Sequence, residues 1–227
     1  MMPGPRRAVR WLGGMLGLGA CLNGLPACAQ QSPDLTCAQL ASLATVDVAY
    51  VDTQVREDHA QSVLQLKRLA QGNIQDHHTV YGLTHAEPEL NYQFSLLFAN
   101  MPDKKVCVVP NIRITSGFKD IKVYLASEVQ DVCRKTVIRD HEYEHVYAWK
   151  THLRAGAKLM SGPLLKAFST PGTYASRTEA ERLYPQLVEK TIQQWDERLK
   201  NHLAEAQRSI DSPLSYGLVE QRLQACP

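Results

Sequence analysis

The sequence predicts an α+β fold in one domain, a small antiparallel sheet followed by a long helical hairpin, and three observations carry that expectation. Leu90 to Phe98 alternates, with Tyr92, Phe94, Leu96 and Phe98 on one face, the period of a half-buried strand. From Cys133 the period changes. Val137, Ile138, His141, Glu142, His145, Val146, Trp149, Leu153 and Ala157 recur at helical spacing. After a Thr170-Pro171-Gly172 loop, a second long helical segment opens with two overlapping capping boxes, Ser176 to Glu179 and Thr178 to Glu181.

The elements follow in order. Residues 1–29 read as an export signal: Arg6, Arg7 and Arg10 precede an apolar, Gly-rich run from Trp11 to Leu22, and Ala27-Cys28-Ala29 is a small-x-small cleavage site. The run is too short and Gly-rich for a good membrane span. Leu18-Gly19-Ala20-Cys21 and Leu25-Pro26-Ala27-Cys28 also resemble lipoboxes, so a lipoprotein anchor is the rival reading. Cleavage near residue 29 leaves Cys37, Cys107, Cys133 and Cys226, an even set suited to two disulfides and to a secreted or periplasmic product. The formal charge of +2 loses three arginines with the signal and becomes −1, which does not suggest nucleic acid or an anionic membrane as a partner.

Residues 30–227 then form the single domain. Cys37 to Leu43 reads as a helical turn, Thr45 to Val51 as a strand, and Arg56 to Ala70 as a helix stopped by Gly72. His77-His78 is a loop. A short strand over Thr79 to Leu83 is broken by Pro88 ahead of the Leu90 strand. Lys105 to Val109 and Asn111 to Thr115 are strand segments interrupted at Pro110. Ser116-Gly117 turns the chain into a further strand, Asp120 to Ala126. The first long helix runs from Cys133 to about Met160, where Ser161-Gly162-Pro163 stops it, with Leu164 to Phe168 adding another turn. The second runs to Ile210, with Pro185 bending it or marking its start, and Asp211-Ser212-Pro213 ends it before a short tail carrying Cys226. Of the three connectivities four cysteines allow, Cys107–Cys133 with Cys37–Cys226 is favoured. It links a strand to the first long helix and ties the two ends together.

The chemistry concentrates in His141-Glu142-Tyr143-Glu144-His145. Helical positions four apart share a face, so His141 and His145 aim two imidazoles at one point, with Glu142 beside them. Two neutral imidazoles hold Zn²⁺, and the carboxylate takes a proton from water held at the ion. The competing reading is a solvated helix face, but the motif lies on the apolar stripe, where polar groups need partners.

A catalytic zinc site takes three protein ligands. His152 lies roughly 10 Å beyond His145 along the helix, too far to share the ion. If the long helices are antiparallel, a turn between Phe168 and Thr178 places His202 opposite His145. His202 is therefore the leading third ligand and Glu181 the next.

The motif resembles the active-site sequence of the zincin metallopeptidases. The order of signal, small sheet with Cys107, motif helix and second long helix is similar to the bacterial predicted secreted zinc-dependent proteases. Beyond the second helix that family tends to carry Tyr-Asp-x-x-Thr-x-His-Gly, and here the matching stretch reads Ile210-Asp211-Ser212-Pro213-Leu214-Ser215-Tyr216-Gly217. Asp211 and Gly217 fit; Leu214 replaces the Thr and Tyr216 the His. The resemblance implies a zincin-like fold, a bound Zn²⁺ and a peptide or protein substrate. It makes Tyr216 a third candidate beside the ion. The departure at Tyr216 also leaves open a non-catalytic, metal-binding envelope protein.

Overall fold

The computed structural model describes residues 35–70 and 79–227. The export signal with its lipoboxes and the His77-His78 loop lie outside the described residues. In chain order the elements are α1 (Cys37–Ala41), β1 (Thr45–Tyr50), β2 (Val55–Asp58), α2 (Val63–Leu69), β3 (Gly82–Asn100), β4 (Val106–Leu125), α3 (Val132–Phe168), β5 (Gly172–Tyr174), α4 (Arg177–Ile210) and α5 (Pro213–Gln224).

β4 is the spine of a five-stranded sheet. Along one edge it pairs antiparallel with the whole of β3. Along the other edge three short strands share it: β5 antiparallel at 106–108, β1 parallel at 111–116 and β2 parallel at 121–124. The sheet is therefore mixed, which corrects the antiparallel sheet expected from the sequence. Alternation marks strands but carries no direction. The chain between β1 or β2 and β4 contains α2 and β3, long enough for the crossover a parallel pair requires.

The expected breaks at Pro88 and Pro110 and the expected turn at Ser116-Gly117 are all absorbed into continuous strands. Pro110 lies within β4, between the stretches paired to β5 and to β1, where its missing N–H costs no hydrogen bond on that edge. Pro88 sits at a bulge, where Glu87 pairs with Asp120 and Pro88 with Phe118. Lys119 is the extra residue, exposed beside a half-buried Asp120. The bulge lets buried positions switch from even (Val108, Ile112, Ile114) to odd (Ile121, Val123, Leu125) without leaving the helix-covered face.

α3 and α4 cover that face. At one end Val108, Ile112 and Ile114 pack with Met160, Leu164, Phe168, Tyr184, Val188 and Ile192. At the other, Phe118, Ile121, Val123 and Leu125 pack with Ile138, Val146, Leu153, Leu199 and Leu203. α3 continues through Pro163 because Leu164 and Phe168 beyond it are fully buried, each contributing about 1.5–3 kcal/mol, against roughly 3 kcal/mol for an interior proline. Ser176 caps α4, its hydroxyl accepting from the Glu179 N–H at 3.2 Å. The long helices approach closely at Gly156, where any Cβ would collide with Leu199.

The disulfides are Cys37–Cys107 and Cys133–Cys226, with Cα separations of 5.9 and 5.7 Å. This corrects the favoured connectivity. β4 runs unbroken between Cys107 and α3, so those two cysteines lie roughly 60 Å of extended chain apart. Each bonds at its own end of the sheet, Cys107 to α1 and Cys133 to the chain end beyond α5. The stretch leading to it, expected as a short tail, is a helix, α5, begun by the Ser212 N-cap and Pro213.

Candidate metal centre

The motif occupies the third and fourth turns of α3, on the side facing the sheet. His141, Glu142 and His145 are 5, 6 and 8% exposed; with Ser116 they are the buried polar or charged residues among those described. Their burial follows from the stripe: Ile138 and Val146 on the same face are in the core, carrying the polar residues in with them.

The carboxylate that meets the imidazoles is Asp211. It caps the C-terminus of α4, its N–H bonded to the Gln207 carbonyl at 3.2 Å, and α5 begins immediately after its neighbour Ser212. Its Oδ1 lies 3.1 Å from His145 Nε2 and 3.7 Å from His141 Nε2. One ligand atom from each of the three residues lies within 4.8 Å of the other two. With bonds of about 2.0–2.1 Å to a central ion, ligand atoms at tetrahedral corners are about 3.4 Å apart. Two imidazoles and a carboxylate are also a known catalytic-zinc donor set.

Two further observations fit an ion there. His145 Nδ1 stands 2.6 Å from Gln207 Oε1, so Nδ1–H donates to the amide and Nε2, which faces Asp211, is the nitrogen free to bind an ion when deprotonated. Gln207 Nε2 donates back to the His145 carbonyl at 3.4 Å, clamping the ring from both sides. His141 Nδ1 is buried without a hydrogen bond, its nearest charged neighbour being Glu144 Oε2 at 3.9 Å. A buried ring whose only directed group is Nε2 toward Asp211 suits a ligand better than a core histidine. Asp131, Cys133 and Cys226 also cluster, but those two cysteines are bonded to each other.

Glu142 is held by β3. The Thr84 hydroxyl lies 2.6 Å from Glu142 Oε2 and 3.0 Å from the Glu142 carbonyl. Gly82 opens the space: a Cβ there would stand 2.5 Å from Glu142 Oε1 and 2.7 Å from Ile138 Cγ2. Burial pushes the Glu142 carboxyl above its ordinary value, and the Thr84 hydrogen bond and the two histidines only partly oppose it. For His145, burial acts downward but is outweighed by the hydrogen bond and charge of Asp211, so its pKa is raised. For Asp211, burial acts upward and is outweighed by hydrogen bonds from His141 and His145, holding the carboxyl well below the usual range. Burial, then the Asp211 charge, raise Tyr216.

The other expected residues separate. His202 is not brought to the motif. Its Nε2 lies 3.0 Å from His152 Nδ1, about two turns along α3 from His145. The cross-helix pairs 145/207, 152/202 and 156/199 centre the hairpin near residue 177 rather than 173. β5 pairs with β4 before α4 starts, making the connection asymmetric. Glu181 is ion-paired to Arg177 at 2.9 Å in the first turn of α4, far from the motif. Tyr216 does arrive: its hydroxyl donates to Asp211 Oδ1 at 2.9 Å and its ring centroid is 5.5 Å from that of His141. Sequence reasoning missed Asp211, Gln207, Thr84 and Gly82. The signal for Asp211 was present, as one of two positions that fit the family stretch beyond the second helix.

Compared with protein families, curated proteins and solved structures, the chain matches none. The two disulfides fit folding outside the cytoplasm. Among the described residues no helix is long and apolar enough to cross a membrane.

Proposed function

We propose that this domain is a zinc-dependent hydrolase of peptide bonds, acting in a secreted or periplasmic setting on a peptide or protein substrate. The observation that carries the reading is the convergence of His141, His145 and Asp211 beside a buried glutamate held by Thr84. His141 and His145 would hold the ion through Nε2, and Asp211 would supply the third ligand and a negative charge. When bound, the ion supplies Lewis acidity, making water more acidic and polarising a carbonyl. Gln207 fixes the His145 tautomer. Thr84 fixes the Glu142 rotamer, leaving Oε1 as its freer oxygen. Glu142 accepts a proton from the attacking water and passes it to the leaving amine. The Tyr216 hydroxyl, bonded to Asp211 beside His141, would donate to a developing oxyanion once it leaves Asp211.

A second reading, a non-catalytic metal-binding envelope protein, draws on the same geometry. The motif side chains are almost fully buried, and Tyr216 packs on His141 with its hydroxyl on Asp211, which restricts access. One variant separates the two. Glu142→Gln is expected to keep equimolar zinc and lose at least about a hundredfold in cleavage rate on unfolded protein or cell-wall peptides. Cleavage at the wild-type rate in that variant removes the mechanism. Zinc without any hydrolysis in the wild type leaves the second reading.

A further inference from the structure

α5 brings Tyr216 to the metal centre and follows directly from Asp211, yet it buries none of its own side chains. Leu214 and Leu218 are 77 and 56% exposed. Among the described residues, three noncovalent ties hold it to α3 and the core. Leu223 packs partly against the core cluster under α3, the Tyr216 ring lies on His141, and Arg222 pairs with Asp140 at 2.8 Å, both partners about half exposed. Surface pairs of that kind hold little. At its end stands the Cys133–Cys226 bond, with Cys226 buried. The pairs Tyr216/His141, Arg222/Asp140 and Cys226/Cys133 lay α5 antiparallel along the first turns of α3. The segment bearing Asp211 and Tyr216 is thus fixed at one side by α4 and at the other by a covalent bond.

We infer that the Cys133–Cys226 disulfide assembles the metal centre, so that the chain grips zinc when oxidised and only weakly while its thiols are reduced. The inference rests on the metal reading above. Chemically, two thiols lose two protons and two electrons to a disulfide-bearing oxidant by thiol–disulfide exchange, and that oxidant leaves as two thiols. The consequence is a domain that stays dormant in a reducing cytoplasm and acquires its ion after export. The other disulfide, Cys37–Cys107, staples α1 to the opposite end of β4 and has no part in this.

The test is zinc affinity of the full chain, read by competition with a chromophoric chelator. Serine variants replace chemical reduction because free Cys133 and Cys226 thiolates beside Asp131 would attract zinc themselves. Cys133→Ser/Cys226→Ser is expected to bind at least about tenfold more weakly than wild type, approaching Asp211→Ala. Cys37→Ser/Cys107→Ser is expected to stay within about threefold. Equal affinity in a folded Cys133→Ser/Cys226→Ser protein, or equal losses in both pairs, overturns the inference. If that variant does not fold, Arg222→Ala/Leu223→Ala with the disulfide intact decides it: near-wild-type affinity supports the covalent tie, and a tenfold loss rejects it. No binding by oxidised wild type would instead reject the metal reading itself.

Discussion

The two pairs of histidines on the long helices look alike at first. His141 and His145 have ring centroids 5.1 Å apart at 81°, and His152 and His202 have theirs 4.8 Å apart at 78°. Their surroundings differ. In the second pair one nitrogen points at the other at 3.0 Å, His202 is exposed, and no third His, Cys, Asp or Glu donor joins them among the described residues. Each ring satisfies the other, and one shared proton completes the contact. In the first pair both Nε2 atoms converge on Asp211 Oδ1, and Gln207 fixes one ring from behind. Two imidazoles at the right separation therefore do not define a metal centre. A donor from a distant segment, with a partner setting the tautomer, is what makes the first pair the candidate.

The contrast is broken most directly by removing that distant donor. Asp211→Ala is expected to weaken zinc binding by about a hundredfold or more, whereas His202→Ala leaves it within about threefold, both measured by chelator competition. A comparable loss in His202→Ala would mean the exposed pair shares the ion. Next in size is the orienting amide. Gln207→Ala is expected to cost roughly ten- to a hundredfold in zinc affinity, the usual weight of a group behind a ligand. Retained affinity would show that the His145 tautomer is set by something else.

The smallest effect is that of pH. In the zinc-free protein, His145 has a raised pKa, so its contribution to stability is fully present below its ordinary value of 6.5 and is lost as pH rises through the elevated one. Asp211 has a lowered pKa, so its contribution is present above its ordinary value of 3.8 and is lost as pH falls through the depressed one. The pair thus supports the zinc-free fold between about pH 4 and 6.5. Zinc competes with the proton on His145, so the rise in Tm on adding zinc should be larger at pH 8 than at pH 5.5. A rise that is equal at both values, in melts followed by circular dichroism, contradicts the proposed ligation by His145.

What was legible in the sequence was local. His141, Glu142 and His145 sit within two helical turns of one another, and their stripe is read without knowing any other part of the chain. The Leu90 to Phe98 alternation is equally local. Asp211 was not legible as a candidate ligand because its place depends on hairpin register. Three residues of β5 shift that register by several positions, which put His202 against His152 rather than His145. Strand direction left no trace in alternation, so β1 was expected as a strand but not as a parallel one, while β2 was read as the start of the helix that in fact begins at Val63. The parity switch in β4 read as a turn at Ser116-Gly117. The favoured disulfide pairing fails on the same unbroken strand, because Cys107 lies at one end of β4's long run and Cys133 beyond the other.

The Lys119 bulge has an evolutionary consequence. Because Lys119 is surplus to the ladder, excising it leaves Phe118 and Ile121 on the same side as before, and an insertion–deletion event there is silent for the interior. Removing any single residue from the regular stretch on either side, such as Lys122, swaps inside for outside along the rest of the strand. Length polymorphism in relatives of this chain should therefore gather at Lys119, one codon at a time, while elsewhere in β4 it should come only in twos.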